Sequence, residues 1–230
     1  MRALVTAVLL STAMLTVAAV RAQPPLPDPC AVPQRVKNIL TDMRAVGGIE
    51  YLSSASLCRY SAYSATASFD FRGGGVRAAL DRLVAFDPRY RWEYQSGVIV
   101  LRPADAWGNP DDFLETRLPS FDVEETTFMA AIHALATPLA GFRLSGDIGP
   151  NPTELEARRF SLSLKDTTVV AVLNAIARRH GALIWEVNYC MPSARYEYAH
   201  FSFRTFDGRG GGIHTSVLDR NGAMREACGR

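Results

Sequence analysis

Lysine is almost missing: only Lys37 and Lys165 interrupt an otherwise all-arginine set of 25 basic residues. No Cys-x-x-Cys pair and no cysteine-to-histidine spacing of the zinc-binding kind is present, so no structural zinc site or redox pair is expected. No Asn-x-Ser/Thr acceptor occurs, because Asn151 is followed by Pro152. Nucleotide-binding glycine spacings, a serine or cysteine nucleophile elbow and a paired-carboxylate motif are absent too. Net charge is scarce. The 230 residues carry +2, from 25 basic and 23 acidic side chains. Loss of a leader containing Arg2 and Arg21 would bring this to zero. Sequence-independent nucleic-acid binding draws on a basic surplus that releases counterions, so no nucleic-acid partner is expected.

What is present begins with an address. Arg2 precedes an uncharged apolar stretch, Ala3 to Val20, and Val20-Arg21-Ala22 sets small residues at −3 and −1 before a proline-rich run. This is the layout of a secretory signal peptide over residues 1–22, cut after Ala22. The alternative is an uncleaved membrane anchor, since the stretch approaches bilayer-spanning length. No cysteine follows the cut directly, which speaks against a lipoprotein. A periplasmic or secreted protein without stable membrane insertion is expected. Export makes the even count of cysteines meaningful: Cys30, Cys58, Cys190 and Cys228 suit two disulfides, and pairing within each end favours Cys30–Cys58 and Cys190–Cys228.

An internal repeat carries most of the information. Phe69 to Tyr94 aligns without a gap on Leu162 to Val187 at an offset of 93. Phe69 and Phe71 fall on Leu162 and Leu164; Val76, Leu80 and Leu83 fall on Val169, Leu173 and Ile176; Trp92-Glu93 falls on Trp185-Glu186. A weaker copy lies between, at an offset of 41 from the last, where Phe121 and Val123 match Leu162 and Leu164 and Thr126-Thr127-Phe128 matches Thr167-Thr168-Val169. Each copy starts with period-two apolar alternation, continues with apolar residues at i, i+4 and i+7, and returns to an aromatic-containing strand. Threonines before each later helix supply caps, and Gly181 supplies a stop. Tyr90–Gln95, Ser96-Gly97 and Val98–Arg102 read as a hairpin.

Such a unit cannot bury its own apolar sides, so copies are expected to cover one another. The expected fold is α+β, with repeated βαβ(β) modules and helices packed on one face of small mixed sheets. Leu80, Ile132 and Leu173 should face the core, and Trp92 and Trp185 should share like surroundings. The expected organisation is an N-terminal helix and disulfide-tethered segment (23–65), a first module (66–102), a linker (103–112) rich in Pro, Gly, Asn and Asp, and a second region (113–230) with two copies and a C-terminal hairpin. Residues 33–46 read as a short helix stopped by Gly47-Gly48, and 207–212 as a turn or loop.

This strand–turn–helix–hairpin pattern, over Ala67 to Arg102 and again Phe121 to Phe206, resembles the secretin and TonB short N-terminal domain and the related modules of secretin rings. The resemblance implies periplasmic protein–protein docking without a catalytic site or cofactor. Those domains normally precede an outer-membrane barrel or pore, whereas this chain stops at Arg230, so a stand-alone module is expected. The partner would be an envelope protein docking at a sheet edge, with Val98, Val100, Trp107, Tyr196 and Tyr198 as contact residues.

Two other readings compete. His200, Asp207 and His214 on or near the C-terminal strands would serve a small metal-dependent hydrolase. Trp92, Trp107 and Trp185 would serve a glycan or peptidoglycan platform, although repeated tryptophans more often pack cores. Arg72-Gly73-Gly74-Gly75, before a helix, reads as turn geometry rather than an anion site. His133, Asn174 and Asp81 align on a helix face expected to be polar, and His180 is accounted for by the helix dipole.

Overall fold

The computed structural model describes residues 28–52, 75–139, 142–147, 158–189, 199–206 and 210–217. The leader, Phe69–Phe71, Arg72–Gly74, Cys58, Cys190, Tyr196, Tyr198, Asp207 and Cys228 lie outside the described residues. The chain is α+β. Its elements are α1 (Ala31–Asp42), β1 (Gly47–Glu50), α2 (Gly75–Phe86), β2 (Tyr90–Gln95), β3 (Val98–Pro103), a 3-10 turn (Phe113–Glu115), β4 (Arg117–Thr126), α3 (Phe128–Ala136), β5 (Phe142–Asp147), β6 (Phe160–Thr168), α4 (Val169–His180), β7 (Leu183–Tyr189), β8 (Ala199–Thr205) and β9 (Gly210–Val217).

Local chemistry explains the helices. In α1 the apolar stripe Val32, Val36, Ile39 and Leu40 is buried, at the spacing that puts side chains on one helical face. Thr127 and Thr168 cap α3 and α4, each hydroxyl accepting from a backbone amide three residues on, Ala130 and Ala171. Gly181 takes the left-handed conformation (φ 78°) that ends α4. Leu80, Leu173 and Ile132 are 0%, 1% and 3% exposed, so all three face the core as expected.

Among the described residues, seven strands form one mixed sheet in the order β2-β3-β1-β7-β8-β9-β5, and β4 and β6 form a separate pair. β1 runs parallel to both β3 and β7; the other pairs are antiparallel. The sheet therefore continues from β3, before the 103–112 segment, to β7, after it, through β1. Gly47-Gly48 lies in β1 and is not the helix stop: α1 ends at Asp42, with Met43 and a left-handed Arg44 (φ 51°) behind it. Gly210–Gly212, expected in a turn, opens β9 opposite Ser202–Arg204.

Helices cover both sides of this sheet, where a single covered face was expected. Successive side chains on a strand alternate between faces. On β7, Trp185 donates to Asn174 of α4, whereas its neighbour Glu186 accepts from Lys37 of α1. On β1, a Cβ at Gly47 would strike Leu40 of α1, and one at Gly48 would strike Trp185. One core accordingly joins α1 and α2 to Ile49, Leu101 and Ile184. The other joins α3, α4, β4 and β6 to Val98, Val100, Trp185 and Phe203. Strands buried on both faces lose the period-two alternation that marks a one-sided sheet, as the uniformly buried β1 shows.

The β4–β6 pair has a symmetric register. Asp122 lies opposite Ser163, and the flanking pairs are Phe121↔Leu164 and Val123↔Leu162. The offset of 41 carries Asp122 onto Ser163, Phe121 onto Leu162 and Val123 onto Leu164, so it exchanges the two flanking pairs. The Ser163 hydroxyl donates to Asp122 at 2.6 Å on this local two-fold. Glu125 and Asp166, also related by 41, both have positive φ (42° and 46°) just before the caps.

The two tryptophans share a bond but not an environment. Trp92 Nε1 donates to Asp81 at 2.9 Å, and Trp185 Nε1 to Asn174 at 3.0 Å; both partners are related by the offset of 93. Trp185 is fully buried between β1 and α4, and Trp92 on the outermost strand is half-buried. Strand position in the sheet accounts for this departure from expectation. It also buries Asn174, expected on a polar face, while Asp81 and His133 stay exposed.

A Cβ at Gly48 would sit 2.0 Å from the Trp185 indole. Gly48→Ala should destabilise by roughly 1–3 kcal/mol through overpacking, read as a lower melting temperature. Trp185→Phe in the Gly48→Ala background should recover part of that loss, because the smaller ring leaves room. Unchanged melting of Gly48→Ala would refute this account of the junction.

Candidate functional site

The β2–β3 hairpin closes on a two-residue turn. Ser96 (φ 50°) and Gly97 (φ 92°) are both left-handed, the geometry whose twist suits a tight hairpin. Gln95↔Val98 is the closing pair, followed by Tyr94↔Ile99, Glu93↔Val100, Trp92↔Leu101, Arg91↔Arg102 and Tyr90↔Pro103. In an antiparallel ladder, hydrogen-bonded and non-bonded pairs alternate. The closing pair of such a turn is bonded, so Tyr94, Trp92 and Tyr90 occupy non-bonded positions. Pro103, which has no amide hydrogen, fits this phase. The amides of Trp92 and Tyr94 thus point away from β3, and among the described residues β2 has no other strand neighbour.

The strand is held rigidly behind that edge. On one face a chain of side-chain bonds runs outward from the core. Trp185 donates to Asn174, Asn174 Nδ2 donates to Gln95 at 3.2 Å, and Gln95 donates to Glu93 at 3.2 Å. Arg91 pairs with the same Glu93. On the other face Trp92 is tied to Asp81 and lies under the Arg77 guanidinium, 5.5 Å from the ring centre. The Tyr90 hydroxyl donates to the Pro29 carbonyl and accepts from the Leu52 amide. Burial is the main reason that its pKa is raised. Tyr94, beyond these anchors, is 65% exposed.

A second polar centre lies inside. Arg102 Nε donates to Glu50 at 2.6 Å and Nη2 to Asp112 at 2.7 Å; Nη1 pairs with Glu115. Nη2 also reaches the Ala106 carbonyl, and the guanidinium lies 5.2 Å from the Trp107 ring centre. The expected linker 103–112 is therefore tied to the sheet at Arg102, through the Asp112 ion pair and the Ala106 carbonyl. Burial alone would lower the Arg102 pKa, but the carboxylates of Glu50, Glu115 and Asp112 outweigh it and the net direction is up. Truncating one member of such a buried set is costly because the others lose their partner.

Across the α1 face, Glu186 Oε2 accepts from Tyr51 at 2.8 Å and from Lys37 at 3.2 Å. Burial first, then the Glu186 charge, holds the Tyr51 hydroxyl well above its ordinary pKa.

The residues expected to contact a partner separate clearly. Val98 and Val100 are fully buried in the core, and β3 lies between β2 and β1, so they offer no docking edge. The edge belongs to the other hairpin strand. Trp107 is half-buried, with the guanidiniums of Arg91 and Arg102 against its ring. Fully buried Trp185 presents no face to a glycan. His180 is buried edge-on to Phe128 at 6.1 Å, which the helix-dipole reading did not anticipate. His200 and His214 lie on neighbouring strands, one step beyond the pair Phe201↔Ile213. Among the described residues no three His, Cys, Asp or Glu side chains are grouped to hold a metal ion, and no helix is long and apolar enough to cross a membrane.

No protein-family model, curated protein or solved structure matches this chain. Its functional reading therefore rests on its own geometry.

The Asp112 carboxyl is raised above its ordinary 3.8, by burial first, against the lowering effect of Arg102. Between its unfolded and folded values the folded chain keeps this proton while the unfolded chain has released it, and above both Asp112 is the charged partner of Arg102. The stability from that proton is complete below the unfolded value and is lost as pH rises through the folded one. Asp112→Asn carries no such proton. Its unfolding free energy, measured by urea titration, should fall less from about pH 4 upward than that of the wild type. An equal or steeper fall would contradict the assignment.

Proposed function

We propose that this chain is an exported, non-enzymatic interaction module of the bacterial envelope, acting in the periplasm or outside the cell, and that a partner protein docks by adding a strand beside β2. The reading agrees with the resemblance to secretin and TonB short N-terminal domains. The leader-like start and the four cysteines, paired Cys30–Cys58 and Cys190–Cys228, belong to the same proposal.

One observation carries the docking site. β2 ends the seven-strand order, and its outward amides at Trp92 and Tyr94 have no strand partner among the described residues. Main-chain hydrogen bonds along such an edge supply affinity, and alternate side chains supply selectivity. Arg91 and Glu93 lie on one face and Trp92 and Tyr94 on the other, so an incoming strand would meet a charged row and an aromatic row. Charged side chains on an outermost strand also restrain indiscriminate pairing.

Tyr94→Pro removes one outward amide and no ladder bond, so it should leave the melting temperature near that of the wild type. Crosslinked envelope extract should yield a specific protein on the wild type that is absent on Tyr94→Pro. Recovery of nothing above a bare-resin control, or equal recovery on a folded Tyr94→Pro, would overturn the reading.

A further inference from the structure

Strands β7 and β8 alternate cleanly. Trp185, Val187, Phe201 and Phe203 are buried in the core shared with α3 and α4. The intervening residues, on the opposite face, are polar: Glu186 and Asn188 on β7, Ser202 and Arg204 on β8. Ser202 lies directly opposite Glu186, and Arg204 opposite Ile184. Polar residues at alternate positions mark a solvated sheet face, yet Glu186 and Asn188 are each 4% exposed. α1 borders the patch through Lys37, and on the β8 side the Arg204 side chain is 45% exposed. A buried polar strip thus runs out to an open arginine.

Bonding within this patch is incomplete. Glu186 Oε2 is satisfied by Tyr51 and Lys37. The other carboxylate oxygen, Oε1, has Arg204 Nε as its neighbour at 3.9 Å, beyond hydrogen-bond reach. Among the described residues the Arg204 guanidinium donates to no protein group. Asn188 Oδ1 is buried with no hydrogen-bond partner. Leaving buried polar groups unpaired opposes folding, so each such group calls for a reason.

The chemistry of these groups selects a ligand. Oε1 and Oδ1 need donors, and Arg204 needs an acceptor. A carboxylate or phosphate only accepts: it would suit Arg204, be repelled by Glu186 and leave Oδ1 unpaired. An ammonium only donates: it would suit Glu186 and be repelled by Lys37 and Arg204. A peptide group does both, but on opposite sides, whereas the Glu186 oxygen and the Arg204 guanidinium stand side by side. A hydroxyl both donates and accepts at one atom, and it suits either end of the Asn188 amide. Same-face neighbours on a strand stand about 7 Å apart, so Glu186 and Asn188 address separate hydroxyls. A ring carrying several of them meets both.

We propose that the polar face of β7–β8, beside α1, binds a neutral sugar, with Glu186 Oε1 and Asn188 accepting from its hydroxyls and Arg204 donating to them. Tyr51 and Lys37 hold Oε2 and so leave Oε1 turned to the ligand. The site uses none of the tryptophans. β3 and β1 stand between it and the β2 edge, so it holds or fails independently of strand docking.

Titration of the purified chain with glucose, N-acetylglucosamine, cellobiose and chitobiose, followed by amide NMR, should give saturable shifts at Glu186, Asn188 and Arg204 with at least one of the four. Acetate, methylammonium and N-methylacetamide at equal concentration should give none. Arg204→Met removes an exposed guanidinium, and Asn188→Leu removes the unpaired oxygen at similar volume. Both should melt no lower than the wild type, and each should weaken sugar binding about tenfold, the loss of one hydrogen bond to a charged or amide group. No saturable shift with any of the four sugars, or unchanged affinity in both folded variants, would overturn the proposal. So would saturation by one of the three small probes in place of the sugars, which would assign an anion, cation or peptide site instead. A melting temperature of Asn188→Leu well below that of the wild type would give Asn188 a structural role and remove it from the site.

Discussion

A four-residue strand joins the structure. β1 is the only described strand with parallel neighbours on both sides, and it ties the β2–β3 hairpin to β7. It does so with a Gly-Gly pair because no side chain fits there. Leu40 closes against Gly47 from one face and the Trp185 indole against Gly48 from the other. Close approach of this kind is where glycine earns its place in a strand interior despite its cost in backbone entropy. The indole is held from behind by Asn174, so the helix, the central strand and the glycine are mutually located.

From that junction the polar interior follows. Glu50, the last residue of β1, is fully buried and is matched by Arg102 from β3, which also gathers Asp112 and Glu115. A stretch with the composition of a linker is thereby fastened to the sheet. The same strand-by-strand continuity places the outer edge of β2 opposite the side that β1 secures. The edge is rigid because Gln95 and Glu93 are bonded back toward Asn174. An ordered edge loses less conformational freedom when a strand is added, which favours docking.

Part of the candidate site was legible in the residues alone. Alternating aromatic and charged residues at Tyr90–Gln95, with Ser96-Gly97 after them, identified the hairpin and its turn. Which of its strands is outermost was not legible. Val98 and Val100 look like edge residues by alternation, yet β1 covers their strand, and β1 itself is too short and too glycine-rich to announce a partner. Arg102, Glu50, Asp112 and Glu115 carry no spacing that links them, since the contacts arise from three separate segments.

The amino-acid order on its own determined the apolar faces of the helices, the threonine caps of α3 and α4, the Gly181 stop, the hairpin, and the burial of Leu80, Ile132 and Leu173, because these depend on periodicities and on hydrogen bonds within a few residues. Only the tertiary structure decided that one sheet spans the 103–112 segment, that helices lie on both its faces, that Trp185 is enclosed while Trp92 is half-open, and that β2 is an edge. Those outcomes depend on strand order, and strand order is set by which distant surfaces fit together. No local pattern records that.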